Sequence, residues 1–315
     1  ILIGALSLFS LYGFIRLFVK PRWALLSMSV VSLSLPMLYF SRDMYTEPLS
    51  MLFFFTMLSL LYFAKKTEDY KVWLLAGFSA GAITMTRIDA YLGLVGVLVY
   101  LIIYLINTKN RKKGLVNIGF LLLGSLLTGI VAWLDLTQLG KSYYGFHSSL
   151  IEKQFMLLLG VSIFGSILIF INYKTKKISK LYSKLDKKKL KIAVLVFVSL
   201  SFAFLVARPL IINKTSNYEL QNIGGAEAVV IQKTQTKDSM PYDNGERVVD
   251  WPVWYLGLVF SVFSLLGILL VCIKTIDDKS LLLLPILFSF ISVSLLYFYN
   301  PSITPDQIWA SRRLL

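Results

Sequence analysis

Long apolar stretches separated by short polar ones run through the whole chain. Ten of them approach the roughly 20 residues a helix needs to cross a bilayer: 1–19, 23–40, 49–64, 72–86, 91–106, 115–136, 155–171, 192–212, 251–273 and 281–299. A backbone in lipid must satisfy its own amide groups, so each run is expected to be helical. The pattern predicts an all-α polytopic membrane protein with about ten transmembrane helices and a small external loop region. Its expected layout is a module of about eight spans over 1–212, an external cap over 213–250, and further spans with an external tail over 251–315. Within the cap, Ala228-Val229-Val230-Ile231 suits a short strand and Pro241 to Gly245 suits a turn.

Composition agrees with this class. The hydrophobic fraction is 57% against 16% charged residues, and mean hydropathy is +0.71. A soluble chain of this length has no core large enough to hide so much apolar surface. The one cysteine, Cys272, excludes an intrachain disulfide framework and reads as a small apolar residue of a span.

Net charge is +15, a value that in a soluble protein would suggest nucleic acid. Its distribution excludes that partner. Alternate connections, together with Arg16, hold 21 basic and five acidic residues, whereas the other set holds 11 basic and 12 acidic ones. The lysine-rich set is expected to be cytoplasmic, with the run from Lys174 to Lys191 attracted to anionic lipid heads. The opposite set is external. Tryptophans support this map: Trp23 and Trp73 fall at cytoplasmic ends, and Trp133, Trp251, Trp254 and Trp309 at or near external ones, where an indole sits in the interface.

On the external side, the loop Ser41-Arg42-Asp43-Met44-Tyr45-Thr46-Glu47-Pro48 carries more charge than a turn requires. Arg42, Arg87, Arg208, Arg312 and Arg313 all lie at or near external ends of spans. Guanidinium groups at that depth match a lipid phosphate, although snorkelling explains any one of them. Asp43 and Glu47 are four residues apart and would share a helix face. They are candidates to hold a divalent metal ion, to orient a hydroxyl or to work as an acid–base pair. Thr46 as a helix cap, with Glu47 and Pro48 in the first turn, is the structural alternative. Asp135, near the outer end of its span, is another costly carboxylate expected to face the same cavity. His147, the one histidine, lies in the polar segment 137–154 and is expected to be solvated or hydrogen-bonded. No phosphate-binding loop or nucleophile elbow is present, so no cofactor is named by the sequence and any transfer chemistry needs a substrate already activated in the membrane.

The order Leu35-Pro36, Tyr39, Ser41-Arg42, Thr46-Glu47-Pro48-Leu49, then Ala76-Gly77-Phe78, Ala80-Gly81 and Thr86-Arg87, resembles membrane glycosyltransferases of the GT-C class. More narrowly it is similar to the family 39-like group of dolichyl-phosphate-mannose–protein mannosyltransferases and aminoarabinose transferases acting on lipid A. Pro305-Asp306-Gln307-Ile308-Trp309-Ala310-Ser311-Arg312-Arg313 resembles a late external motif of prokaryotic members. The resemblance implies inverting transfer of a sugar from a polyprenyl-phosphate carrier to an acceptor on the external face, in a prokaryotic plasma membrane. It implies Asp43 and Glu47 as the acidic site residues, with Arg42, Arg87, Asp89, Asp306, Arg312 and Arg313 binding substrate. Because residue 1 already lies within an apolar run, the chain is expected to be a fragment lacking the first span and first external loop. The principal base is then expected upstream of Ile1. A transporter or flippase of a lipid-linked substrate is the alternative, and a noncatalytic scaffold is a third reading.

Overall fold

The computed structural model describes residues 1–41, 46–87, 90–108, 110–176, 186–211, 219–223, 226–230, 253, 257–276 and 278–299. Eleven α-helices are described: α1 (Leu2–Ile15), α2 (Pro21–Ser32), α3 (Leu35–Phe40), α4 (Glu47–Thr67), α5 (Tyr70–Thr86), α6 (Ala90–Asn107), α7 (Arg111–Leu134), α8 (Lys141–Thr175), α9 (Lys187–Ile211), α10 (Leu258–Ile276) and α11 (Leu284–Tyr299). A 3-10 turn over Asp278–Leu283 precedes α11.

Each of the ten apolar runs contains helix among its described residues, but the expected ten spans are not confirmed. Among the described residues four segments are long and apolar enough to cross a membrane: Glu47–Thr67, Arg111–Leu139, Ile151–Thr175 and Leu258–Ile276. Three shorter apolar helices accompany them: Leu2–Ile15, Tyr91–Asn107 and Leu281–Ile291. The protein is an integral membrane protein of helical build. The run 23–40 is not one helix; it breaks at Leu33-Ser34 into α2 and α3, with Pro36 in the first turn of α3, where its missing N–H costs nothing.

The segment 137–154 also differs from expectation. Instead of a loop, a π-helical turn over Asp135–Leu139 leads through Gly140 into α8, 35 residues long. At 1.5 Å per residue such a helix reaches ~52 Å, well beyond the ~30 Å of hydrocarbon, so its first turns stand outside the membrane. The cap holds a two-stranded hairpin, β1 (Glu219–Ile223) antiparallel to β2 (Ala226–Val230), in a register pairing Ile223 with Ala226. It contains three of the four residues expected to form a strand; the turn expected at 241–245 lies outside the described residues.

The interior is built by α1, α4, α5, α6, α7 and the 3-10 turn, through Phe14, Met57, Leu58, Leu61, Trp73, Ala76, Ala80, Tyr100 and Leu121. Lipid is as apolar as leucine, so close backbone approach rather than water exclusion holds membrane helices together. Along the α5–α7 seam that approach is literal. A Cβ on Gly77 would run into the carbonyl of Leu121, one on Gly81 into the Thr128 hydroxyl, and one on Gly124 into the carbonyl of Leu74. Thr128 Oγ1 also donates across the seam to the Phe78 carbonyl at 3.1 Å. Trp73 is completely buried here with its ring 5.3 Å from that of Tyr104, so its expected place in an interfacial belt is corrected; Trp23 is more than half exposed. Cys272 is buried and unpaired in α10, as expected of a small apolar residue.

Candidate active site at the open ends of α4 and α5

A tight turn sets the geometry. Helix α4 ends at Glu68 in the left-handed conformation (φ 55°), and Asp69 caps α5 by accepting from the Lys71 amide at 2.9 Å. The two helices therefore run antiparallel and in contact, bringing the first residue of α4 beside the residue that follows α5. These are Glu47 and Arg87.

Arg87 Nη1 donates to Glu47 Oε1 at 2.8 Å. The Glu47 side chain is 7% exposed and that of Arg87 20%. An ionised carboxylate this deep needs a partner, and removing one member of such a pair strands the other. One helical turn inward, Ser50 Oγ lies 2.5 Å from Thr86 Oγ1. Thr86 already donates its single hydroxyl proton to the Ile83 carbonyl at 2.7 Å, so Ser50 is the donor between them. The pair and the hydroxyl bridge together clamp this end of the hairpin.

The second carboxylate oxygen, Glu47 Oε2, is buried and has no hydrogen-bond partner among the described residues. Thr46 occupies the cap position of α4 but its side chain makes no capping hydrogen bond, so the capping reading of Thr46 is corrected. Glu47 and Pro48 do lie in the first turn, where a carboxylate meets the positive end of the helix. What results is an acid held by one oxygen, with the other buried and able to accept a hydroxyl hydrogen bond.

Of the residues expected at the site, the structure brings together Glu47 and Arg87. Arg42, Asp43, Asp89, Asp306, Arg312 and Arg313 lie outside the described residues, as do the side chains of Arg208 and His147, although His147 itself falls within α8. Asp135 is corrected: it begins the π-helical turn and is exposed. No group of three or more His, Cys, Asp or Glu side chains suited to a metal ion occurs among the described residues. The Ser50–Thr86 bridge was not anticipated; the available signal was a hydroxyl next to each member of an opposite-charge pair at matching ends of neighbouring spans.

Residues 1–134 match the family model described as dolichyl-phosphate-mannose-protein mannosyltransferase, the family of GT-C protein mannosyltransferases. The matched segment contains Glu47 and Arg87 and ends on the last residue of α7, in agreement with the resemblance carried by residues 35–49 and 76–87. No curated protein and no solved structure matches the chain.

Proposed function

We propose that the protein transfers a sugar from a polyprenyl-phosphate carrier to an acceptor on the external face of the membrane. The buried Glu47–Arg87 pair carries this reading, because intramembrane charge is expensive and is retained where it serves a site. Arg87 is a positioning residue for Glu47, to which it donates at 2.8 Å, and a contact for the carrier phosphate, whose oxygens match a guanidinium. A carboxylate, supported by Glu47 through Oε2, draws off the proton of the acceptor hydroxyl as the hydroxyl oxygen attacks the anomeric carbon and the bond from that carbon to the phosphate oxygen breaks. The leaving phosphate gains negative charge, which Arg87, together with Arg42, Arg312 and Arg313 of the segments that the sequence pattern assigns to the external side, stabilises. Asp43 supports Glu47 directly or through a divalent metal ion, and Asp89 and Asp306 hold sugar hydroxyls.

The test uses membranes containing the full chain and mannosyl-phosphoryl-polyprenol labelled in the sugar. Glu47→Gln, Asp43→Asn and Arg87→Ala should each reduce transfer of the labelled sugar off its carrier by about 100-fold or more, the cost of losing a group that acts on developing charge, with the protein still folded. Wild-type rates in all three variants would overturn the assignment.

A further inference from the structure

At the opposite end of the bundle, a cleft of about 900 Å³ opens between the last turn of α6, the first turn of α7 and the last turn of α8. Asn107, Asn110, Arg111, Lys112, Tyr173 and Lys176 are among its lining residues, and among the described residues that line it none is acidic. Its charge is not neutralised from next door. Lys113 is paired with Glu68 at 2.6 Å, yet neither Arg111 nor Lys112 has a carboxylate partner among the described residues. The Arg111 guanidinium instead lies 5.2 Å from the centre of the Tyr173 ring, an arrangement that holds it over the cleft while leaving the charge intact. Asn110 is spent on the chain itself, accepting from the Lys113 amide at 3.2 Å, and so fixes where α7 begins.

The cleft does not end in water on all sides. One turn into the membrane from Arg111 lie Leu115 and Val116, 57% and 55% exposed, and one turn from Tyr173 lies Phe170, 57% exposed. Exposed apolar side chains thus follow the cations on the same helices, with the Lys174 ammonium 4.8 Å from the centre of the Phe170 ring, and the charge asymmetry of the connections assigns this end to the cytosol. A free anion would use only the first of these features, whereas an anionic lipid would use both.

We infer that this cleft binds the phosphate headgroup of an anionic lipid of the cytoplasmic leaflet, with Arg111 and Lys112 on the phosphate and the acyl chains along Leu115, Val116 and Phe170. The lipid joins the ends of α6, α7 and α8 at a point where the described lining residues supply cations and no carboxylate. This site is separate from the Glu47–Arg87 pair and stands or falls without the transferase reading.

The experiment is native mass spectrometry of the purified full chain, titrated with phosphatidylglycerol, phosphatidylcholine or inorganic phosphate. Wild-type protein should retain phosphatidylglycerol in preference to phosphatidylcholine, and Arg111→Gln and Lys112→Gln should each lower that retention about fivefold, the weight of one cation near an anionic surface. Lys188→Gln/Lys189→Gln, at the exposed start of α9, should leave it unchanged. Equal loss in that control would show diffuse attraction rather than a site, and inorganic phosphate displacing the lipid at equal concentration would show a free-anion site; either overturns the inference. Because the lipid preference is read on wild-type protein, its absence there overturns the inference even if a variant fails to fold.

Discussion

Helices α4 and α7 differ from α8 and α10 in what surrounds them, although all four are of membrane length. In the 18-residue apolar windows of α4 and α7, 33% and 28% of positions are buried inside the protein, against 11% for α8 and 11% for α10. Mean hydropathy is lower in the first pair, 1.5 and 2.1 against 2.3 and 2.4, but all four are apolar enough to span and α7 differs little from α8. What separates them is small residues and pairs: the α5–α7 seam has glycines in backbone contact, and α4 has the Glu47–Arg87 link. The family match over residues 1–134 covers the first pair and stops before the second. The better-packed half is therefore also the half that holds the candidate site, which suits a site needing two side chains from separate helices held to within ångströms.

The sharpest way to break this contrast is to enlarge a glycine on each side of it. Gly77→Leu drives a side chain into the Leu121 backbone, which cannot yield without parting α5 from α7. Overpacking costs about 1–3 kcal/mol where side chains can give way; with backbone as the obstacle, the expected outcome is loss of folded, monodisperse protein on size exclusion. Gly160→Leu, on α8, meets nothing within 4 Å and should leave the elution profile and melting temperature as they are. If Gly77→Leu folds like the wild type, the seam is not what holds the amino-terminal half.

A smaller effect sharpens the comparison at the two ends of α4. A double-mutant cycle with Glu47→Gln and Arg87→Gln should give a coupling of about 1–3 kcal/mol, the range for residues in one buried network. The same cycle on Glu68 and Lys113, whose side chains are about half exposed, should give less than about 1 kcal/mol. Thermal melts of the four variants in each cycle measure this. Equal couplings would mean that burial adds nothing at the candidate site.

Which helices exist was legible in the apolar runs, because the bilayer forces helical backbone on any long apolar segment. Where a helix bends was less so. Pro36 marked a break within 23–40 only once its place in the first turn of α3 was known, and the polar start of α8 reads as loop because it leaves the membrane while staying helical. Glu47 and Arg87 were both legible as candidates, but their pairing depends on the turn at Glu68-Asp69. Counting outward from it, Glu47 lies about three residues farther than Arg87, some 4.5 Å of helix, which a long arginine side chain spans. Trp73 was misplaced because its position along the helix is interfacial while its direction is inward, onto Tyr104. Depth is written in hydropathy; facing is not, since lipid and leucine are equally apolar.

That last point makes the weakest prediction informative. Phe197 on α9 is 71% exposed, and its ring faces what the charge and hydropathy pattern assign to lipid. Phe197→Ala removes apolar area that lipid would cover equally well, so the expected change in stability is under about 0.5 kcal/mol, as for surface positions without a packing role. A buried phenylalanine truncated in the same way costs about 3–5 kcal/mol. Melting the variant in bilayer nanodiscs decides between these. A loss in the second range would mean that the exposed face of α9 is covered by protein in the membrane, and that the carboxyl-terminal helices are only loosely packed until a partner helix seats against them.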